Sequence, residues 1–168
     1  MKKILLIVII LFLFTVGCGK DIDTPTKRVE SFLKEYQDNT SNVRNRLNNS
    51  VKKEKLNKKQ KEKYISLLEK QYQNLSYKIT NEVIIENDAV VDIEIEVLNY
   101  NYSIVNSKKY YESHKDEIKD YNDYMLNNLE KTTDKIKYKL SLNLTNYDGT
   151  WELDEIDNDT IKKLHGLY

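Results

Sequence analysis

The stretch Ile136-Lys137-Tyr138-Lys139-Leu140-Ser141-Leu142-Asn143-Leu144 alternates apolar and polar residues without a break, and Trp151-Glu152-Leu153 resumes the pattern after Tyr147-Asp148-Gly149. Successive side chains of a strand point to opposite faces, so strict alternation marks a strand buried on one side. An Asp-Gly pair between two such runs favours the left-handed turn that closes a hairpin. A hairpin with one greasy face is therefore expected near the C-terminus. A second lies upstream. Leu75, Tyr77, Ile79, Val83 and Ile85 lead to a turn at Asn87 and Asp88, and Val91, Ile93, Ile95 and Val97 return with Asp92, Glu94 and Glu96 between them. The alternation then slips by one, to Leu98, Tyr100 and Tyr102, which predicts a bulge that bends the sheet.

Outside the hairpins the period lengthens to that of a helix. Thr24 followed by Pro25 opens one, with threonine as cap and proline in the first turn; Val29, Phe32, Leu33 and Tyr36 form its apolar face. Residues 38–42, Asp-Asn-Thr-Ser-Asn, end it. Val43, Leu47 and Val51 define a second helical stretch, whose stripe continues through Leu56, Tyr64, Leu67 and Leu68. Between the hairpins, Tyr111, His114, Ile118, Tyr121, Met125 and Leu129 fit one long helix or two short ones over 107–129. Asp157 or Asn158 caps a last short helix through Leu164, and Gly166 supplies its left-handed end. The order helix, helix, strand, strand, helix, strand, strand, helix implies an α+β fold. A bent antiparallel sheet of about four strands is covered by N-terminal helices, with a helical insert between two hairpins.

The N-terminus carries a different signal. Lys2 and Lys3 precede an apolar run over residues 4–14, and Thr15, Val16 and Gly17 lead to Cys18, the one cysteine in the chain. The run is about half of the roughly 20 residues that span a bilayer, so it reads as a cleavable secretory leader. Thr15-Val16-Gly17-Cys18 resembles the bacterial lipoprotein signal, although leucine is more usual where Thr15 stands. The resemblance implies cleavage after residue 17 and lipid attachment at Cys18. It would leave 18–24 as a short tether and 25–168 as a single domain, held by membrane lipid at the outer, extracytoplasmic face of the cell membrane. Six extended residues reach at most about 20 Å, which keeps the domain near that surface.

Composition narrows the function more than it names it. Lysine plus arginine and aspartate plus glutamate both number 27, and 32% charged residues against 39% apolar ones fit one soluble domain with a busy surface. With Cys18 committed to lipid, packing alone must stabilise it. Residues 52–63 hold seven lysines against Glu54 and Glu62. Such a run suits an anionic partner, yet the helical stripe through it makes a solvated helix face the simpler reading. No aromatic and arginine interleaving accompanies it, so nucleic acid is not an expected partner. Asp154, Glu155, Asp157 and Asp159 cluster, but acids before a helix are favoured by its dipole, and no metal is expected there. No nucleophile elbow, phosphate loop or zinc spacing occurs, no cofactor is implied, and no catalytic residue is assigned. His114 lies on an apolar stripe, His165 beside a helix C-terminus, and none of the inward strand positions is acidic. The thirteen tyrosines suit a saccharide or peptide groove as well as ordinary packing.

Helices in the concave side of a bent antiparallel sheet resemble the cystatin-like cone of nuclear transport factor 2-like domains. Asp148-Gly149-Thr150-Trp151-Glu152-Leu153 is similar to the Gly-x-Trp-x-hydrophobic strand start of small Gram-positive lipoproteins of that type. The resemblance implies a cavity under the sheet, with Phe32, Tyr77, Tyr138 and Trp151 as its candidate lining. The function expected is a non-catalytic binding module for a small ligand or an envelope protein; a pocket-type enzyme or a surface interaction antigen are the alternatives.

Overall fold

The computed structural model describes residues 23–168. The leader expected at 1–17, the lipid-attachment residue Cys18 and the tether up to Ile22 lie outside the described residues. The elements are α1 (Pro25–Gln37), α2 (Ser41–Lys52), α3 (Lys58–Gln73), β1 (Ser76–Ile85), β2 (Asp88–Leu98), α4 (Tyr100–Ser113), α5 (Tyr121–Glu130), β3 (Lys135–Tyr147), β4 (Thr150–Leu153) and α6 (Asn158–Leu164). The α+β fold expected from the patterning is the fold observed. One four-stranded antiparallel sheet in the order β1-β2-β3-β4 carries the N-terminal helices on one face, with α4 and α5 inserted between the two hairpins.

The apolar rows meet as alternation requires. Ile79 pairs with Ile93, Ile93 with Leu140, and Leu144 with Leu153. Val91, Ile93, Ile95 and Val97 of β2 and Leu140, Leu142 and Leu144 of β3 pack against Val29 and Leu33 of α1, Val43, Leu47 and Val51 of α2, and Leu68 and Tyr72 of α3. A second cluster of Leu67, Leu98, Tyr100, Leu126 and Leu129 joins α3 to the inserted helices. The outer face is polar: Lys135 and Lys137 pair with Glu96 and Glu94 at 2.9 Å each. The β3–β4 turn has positive φ at Asp148 and Gly149, 51° and 87°, as the Asp-Gly pair predicts.

Four expectations are corrected. The stripe through residues 43–68 is two helices. Asn57 accepts from the Gln60 amide while the Gln60 side chain accepts from Asn57 N–H, both at 3.0 Å, a capping box that restarts the chain as α3. The slip at Leu98, Tyr100 and Tyr102 is a strand-to-helix junction and not a bulge: the Asn99 side chain accepts from Tyr102 N–H at 3.0 Å and begins α4. Tyr100 is fully buried there, its hydroxyl donating to Leu67 O at 3.1 Å. The bulge falls instead in β1, between Ile79 and Asn81, and beyond it Val83 and Ile85 sit opposite Val90 and Asp88 on the outer face. The insert begins at Tyr100 and not near Ser107, and of the two forms expected it takes the one with two helices, separated by residues 114–120.

The C-terminus is locked to α3. Gly166 N–H donates to Lys163 O at 3.0 Å and Leu167 N–H to Lys162 O at 2.8 Å, the paired closure of a helix ended by a left-handed residue. Gly166 has φ +68°, and a Cβ there would lie 2.0 Å from Leu98 O. Gln71, fully buried, donates to Leu98 O at 2.8 Å and His165 O at 3.0 Å and accepts from Leu98 N–H at 2.8 Å. One amide thus joins α3, the end of β2 and the end of α6.

Candidate ligand groove

The candidate site begins with α1. Thr24 accepts from Lys27 N–H at 3.2 Å, Pro25 stands in the first turn, and the helix turns Val29, Leu33 and Tyr36 into the core. Phe32, one position from Leu33, falls at the edge of that buried face and is only partly covered. Its ring meets Tyr36 edge to face at 4.8 Å, and Tyr36 meets Tyr72 in the same way at 4.7 Å. The Arg46 guanidinium lies 5.6 Å from the centre of the Tyr36 ring, and Arg46 also approaches Glu35 at 3.7 Å. Burial holds the Tyr36 and Tyr72 hydroxyls above the usual phenol range, so both remain neutral donors at neutral pH.

Between α1 and the segment joining β4 to α6 these residues wall an open groove of about 630 Å³. Phe32, Tyr36, Leu153, Ile156 and Ile161 give it an apolar floor, Arg28 and Arg46 a basic side on which Glu35 pairs with Arg46, and Glu152, Asp154 and Glu155 an acidic side opposite. An aromatic floor between opposite charges suits an extended polypeptide, whose apolar side chains take the floor and whose charged ones find partners at the rims.

The four residues expected to line one cavity are placed apart. Phe32 is in the groove. Tyr77 and Tyr138 pair with Ile95 from its two sides, so they flank a strand residue that is itself fully buried. The Tyr138 hydroxyl donates to Tyr168 O at 2.8 Å. Trp151 is buried, and its backbone N–H donates to the Asp23 carboxylate at 2.8 Å. The space between sheet and helices is occupied by the core, and the larger depressions open to solvent.

Both histidines and three of the four clustered acids singled out in the sequence have structural partners. His165 is buried, its Nε2 bonded to the Tyr72 hydroxyl, and burial lowers its pKa to about 4. His114 ends α4, stacks on Tyr110 with centroids 3.9 Å apart, and its Nδ1 lies 2.9 Å from both Tyr110 O and Ser113 Oγ. Asp157 caps α6 through the Thr160 amide at 2.6 Å, a bond that holds its carboxyl below the usual range. Asp159 pairs with Lys162 at 3.1 Å, and Asp154 accepts from Thr145 at 3.1 Å. Among the described residues no group of histidines, cysteines and carboxylates has the arrangement of a metal site. On the outer sheet face Ser141 at 2.6 Å and then Asn81 lower the pKa of Asp92. That direction is opposite to the one a general acid at neutral pH requires.

Sequence reasoning missed the groove because its two sides are distant in the chain. Arg28 and Arg46 stand on α1 and α2, whereas the acidic side follows β4. Only the i, i+4 step from Phe32 to Tyr36 hinted at an aromatic ledge.

No family model matches the chain, and no curated protein matches it. Among solved structures, the crystal structure at 2.62 Å of a candidate lipoprotein, YcdA of Bacillus subtilis subsp. subtilis str. 168, is similar at 12% identity and a TM-score of 0.40. The match covers 84% of this chain and 46% of the other, so the chain spans about half the length of the structure that it matches. A correspondence that loose assigns no role to any residue here.

Proposed function

We propose that this chain is an extracytoplasmic binding module without catalytic activity, tethered by lipid at Cys18, whose groove beneath α1 receives an extended segment of an envelope protein. The observation that carries this reading is the groove of about 630 Å³ with its Phe32–Tyr36 floor and opposed charged sides. The filled interior favours an occupant at the surface over a small ligand enclosed under the sheet. The sheet packed on N-terminal helices supports a kinship with the cystatin-like cone of nuclear transport factor 2-like domains, but the activity of such pockets does not travel with the fold. The downward-shifted carboxylates and the neutral His165–Tyr72 pair support a binding role over acid–base chemistry.

The test uses the full chain in its native host. A photo-crosslinking residue at Ser31, which lines the groove, is expected to capture one envelope protein, and Phe32→Ala with Arg46→Ala to abolish capture. Equal capture from a control position at Asn127 would refute the groove. Intact mass carrying a lipid adduct at Cys18, with release of Cys18→Ala from the membrane fraction, tests the tether separately.

A further inference from the structure

At one end of the sheet four large apolar side chains meet water. Val83, Ile84 and Ile85 at the end of β1 are 44%, 50% and 69% exposed, and Tyr147 at the end of β3 is 59% exposed. They belong to one tip, because Asn146 N–H donates to Asn87 O at 2.7 Å and ties the β1–β2 turn to the end of β3. The bulge in β1 sends Val83 and Ile85 to the outer face, while Ile84, opposite Ala89, is half exposed on the inner one, so the tip is apolar on both faces. Consecutive exposed aliphatics on an edge strand are a liability that soluble domains ordinarily remove.

The N-terminal segment leaves the fold at this same end. The Asp23 carboxylate holds the amide of Trp151, which pairs with Asn146, and Thr26 N–H donates to the Glu82 carboxylate at 2.9 Å. Five residues, Cys18 to Ile22, precede Asp23 and can reach at most about 18 Å. The strands from β4 to β1 are spread over about 15 Å. A lipid on Cys18 therefore keeps the tip within reach of the bilayer surface. The lysine run faces elsewhere. Leu98 lies about 33 Å along β2 from Asp88, and the run is fastened beyond that far end, where Gln60 holds Asp120, the cap of α5, and Asp123 within it at 3.0 Å and Lys63 holds Glu130.

We propose that the tip formed by Val83, Ile84, Ile85 and Tyr147 seats in the headgroup layer of the membrane that carries the lipidated chain, and so fixes the orientation of the domain. This rests on the lipid tether proposed above. Branched aliphatics beside a tyrosine suit the boundary between headgroups and acyl chains. Glu86, Asp88 and Asp148 surround the tip, so their carboxylates stay in the hydrated layer and favour zwitterionic over anionic headgroups.

The experiment uses the full lipidated chain in phosphatidylcholine vesicles, with a fluorescent label on Asn87→Cys or, as the distal control, Lys55→Cys. Doxyl groups on the lipid are expected to quench the Asn87 label several-fold more than the Lys55 label. Adding Val83→Ser and Ile85→Ser, both at exposed positions that leave the core intact, should remove the difference. Equal quenching at the two sites while the protein still floats with the vesicles would overturn the tip contact and leave the tether standing. Protein that fails to float, and carries no lipid by mass, would overturn the tether instead; the same label is then read with vesicles added. A tip that is unquenched but protected in proportion to protein density would mean that a second copy covers it, and the proposal falls.

Discussion

Gly166 has little freedom to change. Alanine there would meet Leu98 O at 2.0 Å and the Gln71 amide at 2.4 Å, in a left-handed backbone that also disfavours any side chain. Gly166→Ala is expected to cost about 3 kcal/mol, read as the shift of a urea unfolding midpoint at unchanged slope. His165 offers a pH test. Its folded pKa of about 4 lies below the ordinary 6.5, so the unfolded chain binds the extra proton first. The stability from keeping it neutral is complete above pH 6.5 and drains as pH falls toward 4, by about 3 kcal/mol in all. Thermal melts of the chain and of His165→Gln should diverge across that window; a parallel decline would refute the assignment. The left-handed role of Gly166 was legible from its place after Leu164. The His165–Tyr72 pair was not, because the two residues are 93 positions apart and no local pattern links them.

At the scale of elements, the legible parts were those with strict periods. Both hairpins and the opening of α1 follow from alternation and from Thr24-Pro25, since each depends only on neighbours in sequence. The junctions were less legible. Leu98, Tyr100 and Tyr102 continue an alternation that has slipped by one from that of β2, but the Tyr100 side chain bonds Leu67 O and packs in the second core, and tertiary packing overrides the strand period. The break between α2 and α3 was written in Asn57 and Gln60, a capping box hidden inside the lysine run. Asn57→Ala should lower stability by about 1 kcal/mol in chemical unfolding and spread helix fraying into residues 58–61. That turn is also charged against its own dipole: α3 opens on Lys58, Lys59 and Lys61 with no acid, whereas α5 and α6 open with Asp123 and Asp159. Lys59→Glu should therefore stabilise the domain by about 0.5 kcal/mol, an increment that salt diminishes. A loss of stability would show that these cations are held by something other than solvent.

Taken whole, the molecule has two unlike ends, and only one was legible. The lysine run stood out in the sequence, yet it decorates the end remote from Asp23. The apolar end was disguised, because Val83 and Ile85 read as core until a bulge at Thr80, which nothing in the alternation announces, turned them outward. The candidate lining fared likewise: Tyr77, Tyr138 and Trp151 are inward-facing, but inward in a packed sheet means contact with neighbours and not with a void. A protease that cuts after glutamate, added to spheroplasts, should accordingly cut first at the exposed Glu54 and leave Glu86 in the β1–β2 turn intact, as peptide mapping would reveal. Preferential cleavage at Glu86 would argue for the reverse orientation.

The bond between Asp23 and the Trp151 amide joins positions 128 apart in the chain. A polypeptide delivered front end first cannot make it until Trp151 has emerged. Until then α1 has no β4 beside it and the groove has only one wall. Newly made chains therefore pass through a period in which the sheet is open along β3, and any helper that guards this protein during its delivery has that edge to hold.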